Sequence, residues 1–494
     1  MRLTHKLRFT SSVALSAALL LAGCVVGPNF KAPAPPNVPG YTPAPLSSTG
    51  STPDSPGGEA QQFVPGRDIP GDWWALFHSV PLNNLIERSL QANPDLKAAQ
   101  AALVVARENV LAQRGAYYPN ISAGFSASRQ QTSTLIAPVP NSNAFNFSLY
   151  TPQVSVSFVP DVFGLNRRTV ESLKAQEQQA RFVLAATHIT LSSNVASAAI
   201  QEASLRGQIA ATRQLIDINS AMLQILRTQF AQGYVARLDV AAQESQLAQV
   251  ESTLPPLLKQ LAQLRDLLAE LSGGFPSQEL AEEFDFSSLQ LPQELPVSLP
   301  SQLVAQRPDV QQAVENLHAA SAQVGVAIAN RLPNLNLTAD AGSMALAFSQ
   351  IFAPGTGFWD LAAGVTQPIF DGKTLLHRER AAQAALTEAE EQYRGVVLTA
   401  FQNVADTLNA LQQDAESLRA AAAAQEAAGT TLSQAKSQVQ AGYANYQTLL
   451  SAEQTYQQAE INLIQAQANR YADTAALFQA LGGGWWNRSD IPKS

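Results

Sequence analysis

The chain is one unit written twice. Pro94-Asp95 returns as Pro308-Asp309, and Tyr118-Pro119-Asn120 returns as Leu332-Pro333-Asn334, both at an offset of 214. Pro160-Asp161-Val162-Phe163-Gly164 returns as Pro368-Ile369-Phe370-Asp371-Gly372 at 208, and Gln232-Gly233-Tyr234 as Ala441-Gly442-Tyr443 at 209. Landmarks in one order at nearly one spacing define a duplication, and a duplicated chain folds as two like halves. The repeat therefore divides the sequence. Residues 1–23 and 24–81 precede the copies, 82–290 form the first copy, 291–484 the second, and 485–494 a tail.

Each copy changes period at the same places. Residues 95–114 and 309–331 have helical patterning. A helix of about 34 residues ending near Arg114 would be about 50 Å long, and so would one from Leu238 to Leu271. After Pro119 the pattern alternates, with Ile121, Ala123, Phe125 and Ala127 set against Ser122, Gly124, Ser126 and Ser128. A turn-rich stretch leads to Val154, Val156 and Phe158, set against Ser155 and Ser157. The second copy answers with Leu335, Leu337, Ala339 and Ala341, then Trp359, Leu361, Ala363 and Val365. Each copy predicts a hairpin, so the chain supplies four strands. Helical periodicity then resumes. Val397, Phe401, Val404, Leu408, Leu411, Ala415 and Leu418 fall at spacings of four and three, a coiled-coil seam. Val195, Ala198, Leu205, Ile209, Ile216, Leu223, Leu226 and Phe230 follow the same register, interrupted by Glu202 and Asn219. From Gly164 to Gln232 there is no proline and one internal glycine, Gly207, which predicts a rod of about 100 Å. Each copy thus pairs one continuous column with one built from shorter helices.

The N-terminus has a different chemistry. Arg2, Lys6 and Arg8 precede the apolar run Val13 to Ala22, which is too short to span a bilayer and ends in Leu21-Ala22-Gly23-Cys24. Cys24 is the only cysteine, and it stands where bacterial lipoproteins are acylated and cut. Residues 1–23 are expected to be a signal peptide and Cys24 the lipid attachment site, with no other cofactor. Val25, rather than Asp, points to the outer membrane. Residues 25–72, rich in Pro, Ser, Thr and Gly, are expected to form an extended tether along the body. Without residues 1–23 the chain carries 28 basic against 39 acidic groups, a balance that argues against nucleic acid. The five histidines show no ligand spacing, and no phosphate loop, HExxH or GxSxG occurs, so neither a metal nor an enzyme is expected.

No apolar run of 18 or more residues follows the signal, so no transmembrane helix is expected. The alternating strands carry the weak signature of an outer-membrane barrel. Strands in a bilayer must close without free edges, and four cannot do so. The chain must therefore oligomerise. Two copies give a filled eight-stranded barrel, and three give twelve strands and a lumen.

The ordered motifs Cys24-Val25-Val26-Gly27-Pro28-Asn29-Phe30, Trp73-Trp74-Ala75-Leu76-Phe77, Asn93-Pro94-Asp95-Leu96, Pro160 to Gly164, Arg307-Pro308-Asp309-Val310, Gln367 to Gly372 and Gly482-Gly483-Gly484-Trp485 carry a resemblance. Over essentially the whole mature chain it resembles the TolC-type outer-membrane factors, in their NodT-like lipoprotein branch. The resemblance implies a mainly α fold with a β-barrel contribution: a homotrimer whose twelve-stranded barrel continues into a twelve-helix periplasmic tunnel. It implies a passive exit duct in the outer membrane for drugs or other small toxic compounds. An inner-membrane efflux transporter and a periplasmic adaptor would deliver them. Type I protein or peptide secretion uses the same fold, and a lipid-anchored coiled-coil scaffold is the alternative that patterning alone leaves open.

The resemblance also places the gate and the adaptor-docking tips at Gly233, Tyr234, Arg237 and Asp239 of the first turn, and at Gly442, Tyr443, Gln447, Thr448, Ser451 and Glu453 of the second. Thr448 and Ser451 stand where the family often has a ring of aspartates. Asp239 and Arg237 have two readings, interhelical contacts that hold the tips closed or, for Asp239, a local helix cap. Asp161 and Asp371 are expected to start helices, and Trp73-Trp74 to pack a belt. Trp359 is expected at the lipid interface or at a barrel–tunnel junction.

Overall fold

A computed structural model describes residues 25–131, 146–278 and 280–491. The expected signal peptide, Cys24 and the turn-rich stretch before Val154 up to residue 145 lie outside the described residues. The elements, in order, are β1 (Gln62–Pro65), α1 (Val80–Ala92), α2 (Pro94–Arg114), β2 (Asn120–Gln131), β3 (Asn146–Phe158), α3 (Leu165–Ala231), α4 (Arg237–Glu251) and α5 (Leu254–Leu271). The second series is β4 (Glu294–Val297), α6 (Pro300–Gln306), α7 (Pro308–Ala329), β5 (Asn334–Ser343), β6 (Gly357–Thr366), α8 (Thr374–Gln440) and α9 (Tyr446–Ala480).

The duplication extends to element length. Helices α3 and α8 each run for 67 residues. Helix α9 has 35 residues, and α4 with α5 covers the matching stretch of the first copy. The expected single helix from Leu238 to Leu271 is broken at Ser252-Thr253. Pro255 and Pro256 have no N–H to give, and their rings crowd the carbonyls four residues back. Ser252 and Thr253 instead turn their hydroxyls onto the Gln249 and Val250 carbonyls, each at 2.7 Å. The expected long helix ending near Arg114 is likewise two, α1 and α2, separated at Asn93-Pro94.

Asn93 explains its motif. Its Oδ1 accepts from the Asp95 and Leu96 N–H groups at 2.9 and 3.2 Å, and its Nδ2 donates to the Leu271 carbonyl at 3.2 Å. In the second copy Arg307 does the equivalent work. Its Nη1 donates to the Ala480 carbonyl at 2.8 Å, while Nη2 pairs with Asp309 at 2.7 Å. Leu271 and Ala480 are themselves counterparts, so two different side chains close the same helix end.

The chain forms two compact units. One comprises residues up to Pro33 with Leu103–Gln179 and Ala313–Tyr393. It holds an antiparallel sheet of order β2-β3-β5-β6, in which β3 of the first hairpin pairs with β5 of the second. Partners share a face, so Ile121, Ala123 and Phe125 lie with Val156, Val154, Ala339, Ala341, Leu361 and Val365 on one apolar side. Trp359 stands there too, 78% exposed opposite Ala341. Asp161 and Asp371 start the following helices. Asp161 accepts from the Asn166 and Arg167 N–H groups at 2.9 Å, and Asp371 from Leu375 at 2.8 Å.

The other unit comprises Ala34–Ala102, Ala180–Gln312 and Arg394–Ser494. Here most of the predicted seam is buried: Val397, Val404, Leu408, Leu411, Ala415 and Leu418 on α8, and Val195, Ala198, Leu205, Ile209, Leu223 and Leu226 on α3, whereas Phe401 and Ile216 are half-buried and Phe230 is exposed. Contrary to expectation, α3 holds an 18-residue stretch apolar enough by composition to cross a bilayer. Of that stretch 67% is buried within the chain, as suits a core helix. β1 and β4 pair in parallel, and Trp73 stacks on Phe478 with ring centroids 5.3 Å apart.

Glu202, which interrupts the seam, is fully buried, and its Oε1 accepts from Arg206 Nε at 2.8 Å and Arg265 Nη1 at 2.9 Å. Arg265 goes on to donate to the Leu280 carbonyl at 2.7 Å, pinning the segment that links the two copies. Breaking a buried pair by deleting one partner costs on the order of 3–5 kcal/mol. Glu202→Ala is therefore expected to lower the thermal unfolding temperature in detergent far more than Glu202→Gln, which keeps an acceptor. Equal, small shifts for the two variants would show the node to be unimportant.

Candidate functional site

The two glycine turns have the same backbone for the same reason. Gly233 and Gly442 sit at φ 77° and 78°, and nothing lies within 4 Å of a Cβ added to either. The glycine is required by the left-handed conformation and not by crowding. Around it the Tyr234 N–H donates to the Gln229 carbonyl and the Tyr443 N–H to the Gln438 carbonyl, at 2.9 and 2.8 Å. These six-to-one bonds are Schellman closures of α3 and α8. They leave Tyr234 78% and Tyr443 88% exposed, with Leu238 at 77% beside the first.

The returning helices start by different chemistry. At α4 the Asp239 carboxylate reaches back to the Ala236 N–H at 3.0 Å. That is the reciprocal half of a capping box, with alanine at the position a polar side chain would normally take. At α9 Asn445 caps conventionally, accepting from the Thr448 N–H at 3.0 Å and its hydroxyl at 2.8 Å. Thr448 is the counterpart of Asp239. The one side-chain hydrogen bond of Asp239 among the described residues is thus the local cap, while Arg237, Gln447, Thr448 and Ser451 are exposed.

What joins the two turns is a polar node inside an apolar cluster. Met222, Leu223 and Leu226 of α3, Val240 of α4, Ala435 of α8, and Tyr446, Leu449 and Leu450 of α9 pack together. Among them Gln243 Nε2 donates to Asn219 Oδ1 at 2.9 Å and to the Asn219 carbonyl at 3.0 Å, and the Tyr446 hydroxyl bonds Gln243 Oε1. Burial, followed by the Glu453 and Asp239 carboxylates, raises the Tyr446 phenol well above its ordinary range, so it stays a donor. Sequence reasoning finds Asn219 only as an interruption of the seam and misses Gln243 and Tyr446. A lone polar residue at a seam position is the available clue, because such a residue needs a partner.

Glu453 is 2% exposed, and its Oε2 has no hydrogen-bond partner. It lines a cavity of about 330 Å³ with Asp217, Ile218, Met222, Ile225, Leu432 and Lys436. Its counterpart in the first copy is Glu244, which pairs with Arg227 at 2.7 Å in an exposed salt bridge. Lys436 replaces that arginine. Burial pushes the Glu453 carboxyl up to about 7, with Lys436 opposing.

Paired long helices, hairpins with one exposed apolar face and two glycine-closed turns describe an outer-membrane channel. The chain belongs to the outer membrane efflux protein family, whose model matches residues 85–274 and 299–483. It is 32% identical to the pyoverdine export outer membrane protein OpmQ of Pseudomonas aeruginosa, over 95% of this chain and 96% of that protein. To the outer membrane protein OprJ of the same species it is 27% identical, over 96% and 95%. Among solved structures it is similar to the outer-membrane channel OprN at a TM-score of 0.82 and 25% identity, covering 94% of this chain and all of that one. It is an outer-membrane efflux channel, and the long helices are those of its periplasmic tunnel.

The packed form of Glu453 has a pKa above the unfolded value of 4.5. Folding therefore takes up a proton, and the ionised packed form is penalised as pH rises through about 7. Glu453→Gln imitates the neutral form. Its stability advantage over the parent is expected to be widest at pH 8 and to shrink towards pH 5.5, read from unfolding temperatures across that range. A pH-independent gap would mean that the carboxyl does not titrate in the packed state.

Proposed function

We propose that three copies of this chain close into a twelve-stranded barrel and a twelve-helix tunnel, forming the exit duct of a tripartite efflux pump. An inner-membrane transporter would supply the substrate through a periplasmic adaptor, and acylated Cys24 would anchor each copy in the outer membrane. The adaptor would dock at the two turns, where Tyr234, Leu238 and Tyr443 are held out to solvent without disturbing the packed node beneath. No step of this function calls for a bond to be made or broken.

One observation carries the reading. Among the described residues the four-stranded sheet ends in two open edges, β2 and β6, and the apolar side beside them is largely exposed, with Ile121 at 69%, Phe125 at 56% and Val365 at 69%. Open edges are tolerable in a bilayer only if another copy continues the sheet, while an exposed apolar face suits lipid. The duplication gives the register of that seam. Hairpin one pairs Asn120 with Ser157 and hairpin two pairs Asn334 with Thr366, so the first strands correspond at an offset of 214 and the second at 209. The internal seam pairs Val156 with Ala339 and Val154 with Ala341. The same shifts place Val365 opposite Phe125 of the partner subunit and Ala363 opposite Ala127 of the partner subunit. Both pairings keep apolar residues on one face.

A chain carrying both Ala363→Cys and Ala127→Cys is expected to form reductant-sensitive dimers and trimers on oxidation in outer-membrane fractions. Ala363→Cys with Ser126→Cys, one residue out of register and on the opposite face, is expected to remain uncrosslinked. Crosslinking that stops at dimers would replace the open duct with a filled eight-stranded barrel. No crosslinking in either variant would reject the seam.

A further inference from the structure

The residues just after Cys24 are seated in a built socket. The Val26 N–H donates to the Phe163 carbonyl at 3.2 Å. Arg168, with only 3% of its side chain exposed, donates from Nε to the Val26 carbonyl at 3.0 Å. Its Nη2 donates to the Gly27 carbonyl and to Asn29 Oδ1, at 3.2 and 2.9 Å. Its remaining nitrogen pairs with Glu171 at 2.7 Å. Phe30 stacks on His318, centroids 4.3 Å apart and planes 12° apart, and His318 lies 3.2 Å from both Glu315 and Glu171.

Three glycines let the backbones meet. Gly27 lies at φ +92°, and a Cβ there would come within 2.4 Å of Gly325 Cα. A Cβ on Gly325 would lie 2.8 Å from Arg168 Cγ, and one on Gly164 would lie 2.8 Å from Val25 Cγ1. Contacts this close leave no slack. A proline-rich tether that merely drapes over a surface would not need a buried guanidinium spent on its carbonyls.

The duplication supplies the control. The socket draws on both copies, and exchanging them gives the counterparts His377 for Arg168, Arg380 for Glu171, Leu111 for Gly325 and Val104 for His318. An imidazole thus stands for the guanidinium, and Leu111 carries a side chain where Gly325 has none. This set of socket residues occurs once per chain, as the N-terminus does.

We propose that Arg168, Gly325 and His318 form a receptor for the chain's own acylated N-terminal segment, fixing the lipid anchor beside the junction of β3 and α3. The socket recognises the segment by its carbonyls, by the absence of a side chain at Gly27, and by the Phe30 ring. Docking holds each anchor at one place against its own hairpin. Acylation alone would leave it free to wander over the length of a flexible tether. This inference rests on the acylation of Cys24 proposed above. Arg168 acts as a positioning residue.

The test uses the full chain in outer-membrane fractions and compares the parent with Arg168→Ala, Arg168→Lys, Gly325→Val and His377→Ala. Intact mass of the N-terminal peptide reports acylation, and limited proteolysis within residues 25–33 reports docking. The Ala363→Cys/Ala127→Cys background reports assembly. In Arg168→Ala and Gly325→Val the acyl mass is expected to persist while cleavage within 25–33 speeds up by tenfold or more and crosslinked trimer falls. Arg168→Lys is expected to recover part of the protection, and His377→Ala to match the parent. Unchanged protection in both socket variants would overturn the proposal, even if the trimer is lost for other reasons. A parent without the acyl mass would overturn the anchor reading, and with it this use of the socket.

Discussion

A strand that enters hydrocarbon must have every N–H and C=O paired, and among the described residues this chain brings only four strands to its antiparallel sheet. The rest of the structure follows from that shortage. The sheet is long, antiparallel and regular within the chain, yet among the described residues its two outer strands have no further strand beside them, and most of its apolar side is exposed. The helices give the opposite picture. Each long column has an interior side built from Leu, Val, Ala and Ile, and the chain already buries much of it. One part of the molecule is thus finished within a single copy, and the other can be finished only by more copies.

Duplication makes this economical and also shows what each copy was free to change. Equivalent places are solved by different residues wherever the requirement is only physical. A helix end is closed by Asn93 in one copy and Arg307 in the other. A helix start is capped by Asp239 reaching back, or by Asn445 reaching forward. The cation–carboxylate pair is Arg227 with Glu244 on the surface, and an exposed Lys436 near the buried Glu453. The last change matters most, because it turns an ordinary exposed pair into a buried carboxyl whose charge depends on pH near neutrality. The socket around Arg168 is the converse, a place where residues of both copies meet on the N-terminal segment.

Much of the fold can be read along the sequence because its periods are long and uninterrupted. The seam from Val397 to Leu418 is largely buried as its four–three spacing requires, and the alternating runs pair as hairpins. The departures come from proline. Asn93-Pro94 and Pro255-Pro256 each split a column that periodicity alone reads as one helix, because a proline inside a helical pattern removes a donor without disturbing the apolar spacing. The candidate site is less legible. Gly233 and Gly442 announce their turns locally through the need for positive φ. The node of Asn219, Gln243 and Tyr446 joins residues on three helices far apart in the chain, and no local pattern links them. Glu453 stands out for its place after the second turn, but its burial depends on which way α9 faces its neighbours.

The sequence by itself determined the duplication, the order of strands and long helices, and the positions of the turns. These depend on residue chemistry within a few turns of chain, where spacing translates directly into geometry. Only the tertiary structure decided that the residues after Cys24 are gripped by a buried arginine, that the two turns share one polar node, and that one carboxylate of an equivalent pair is buried while the other is not. Each of those outcomes depends on side chains from distant segments competing for the same small space. Such competition is settled by packing and hydrogen-bond satisfaction, which a linear pattern does not record.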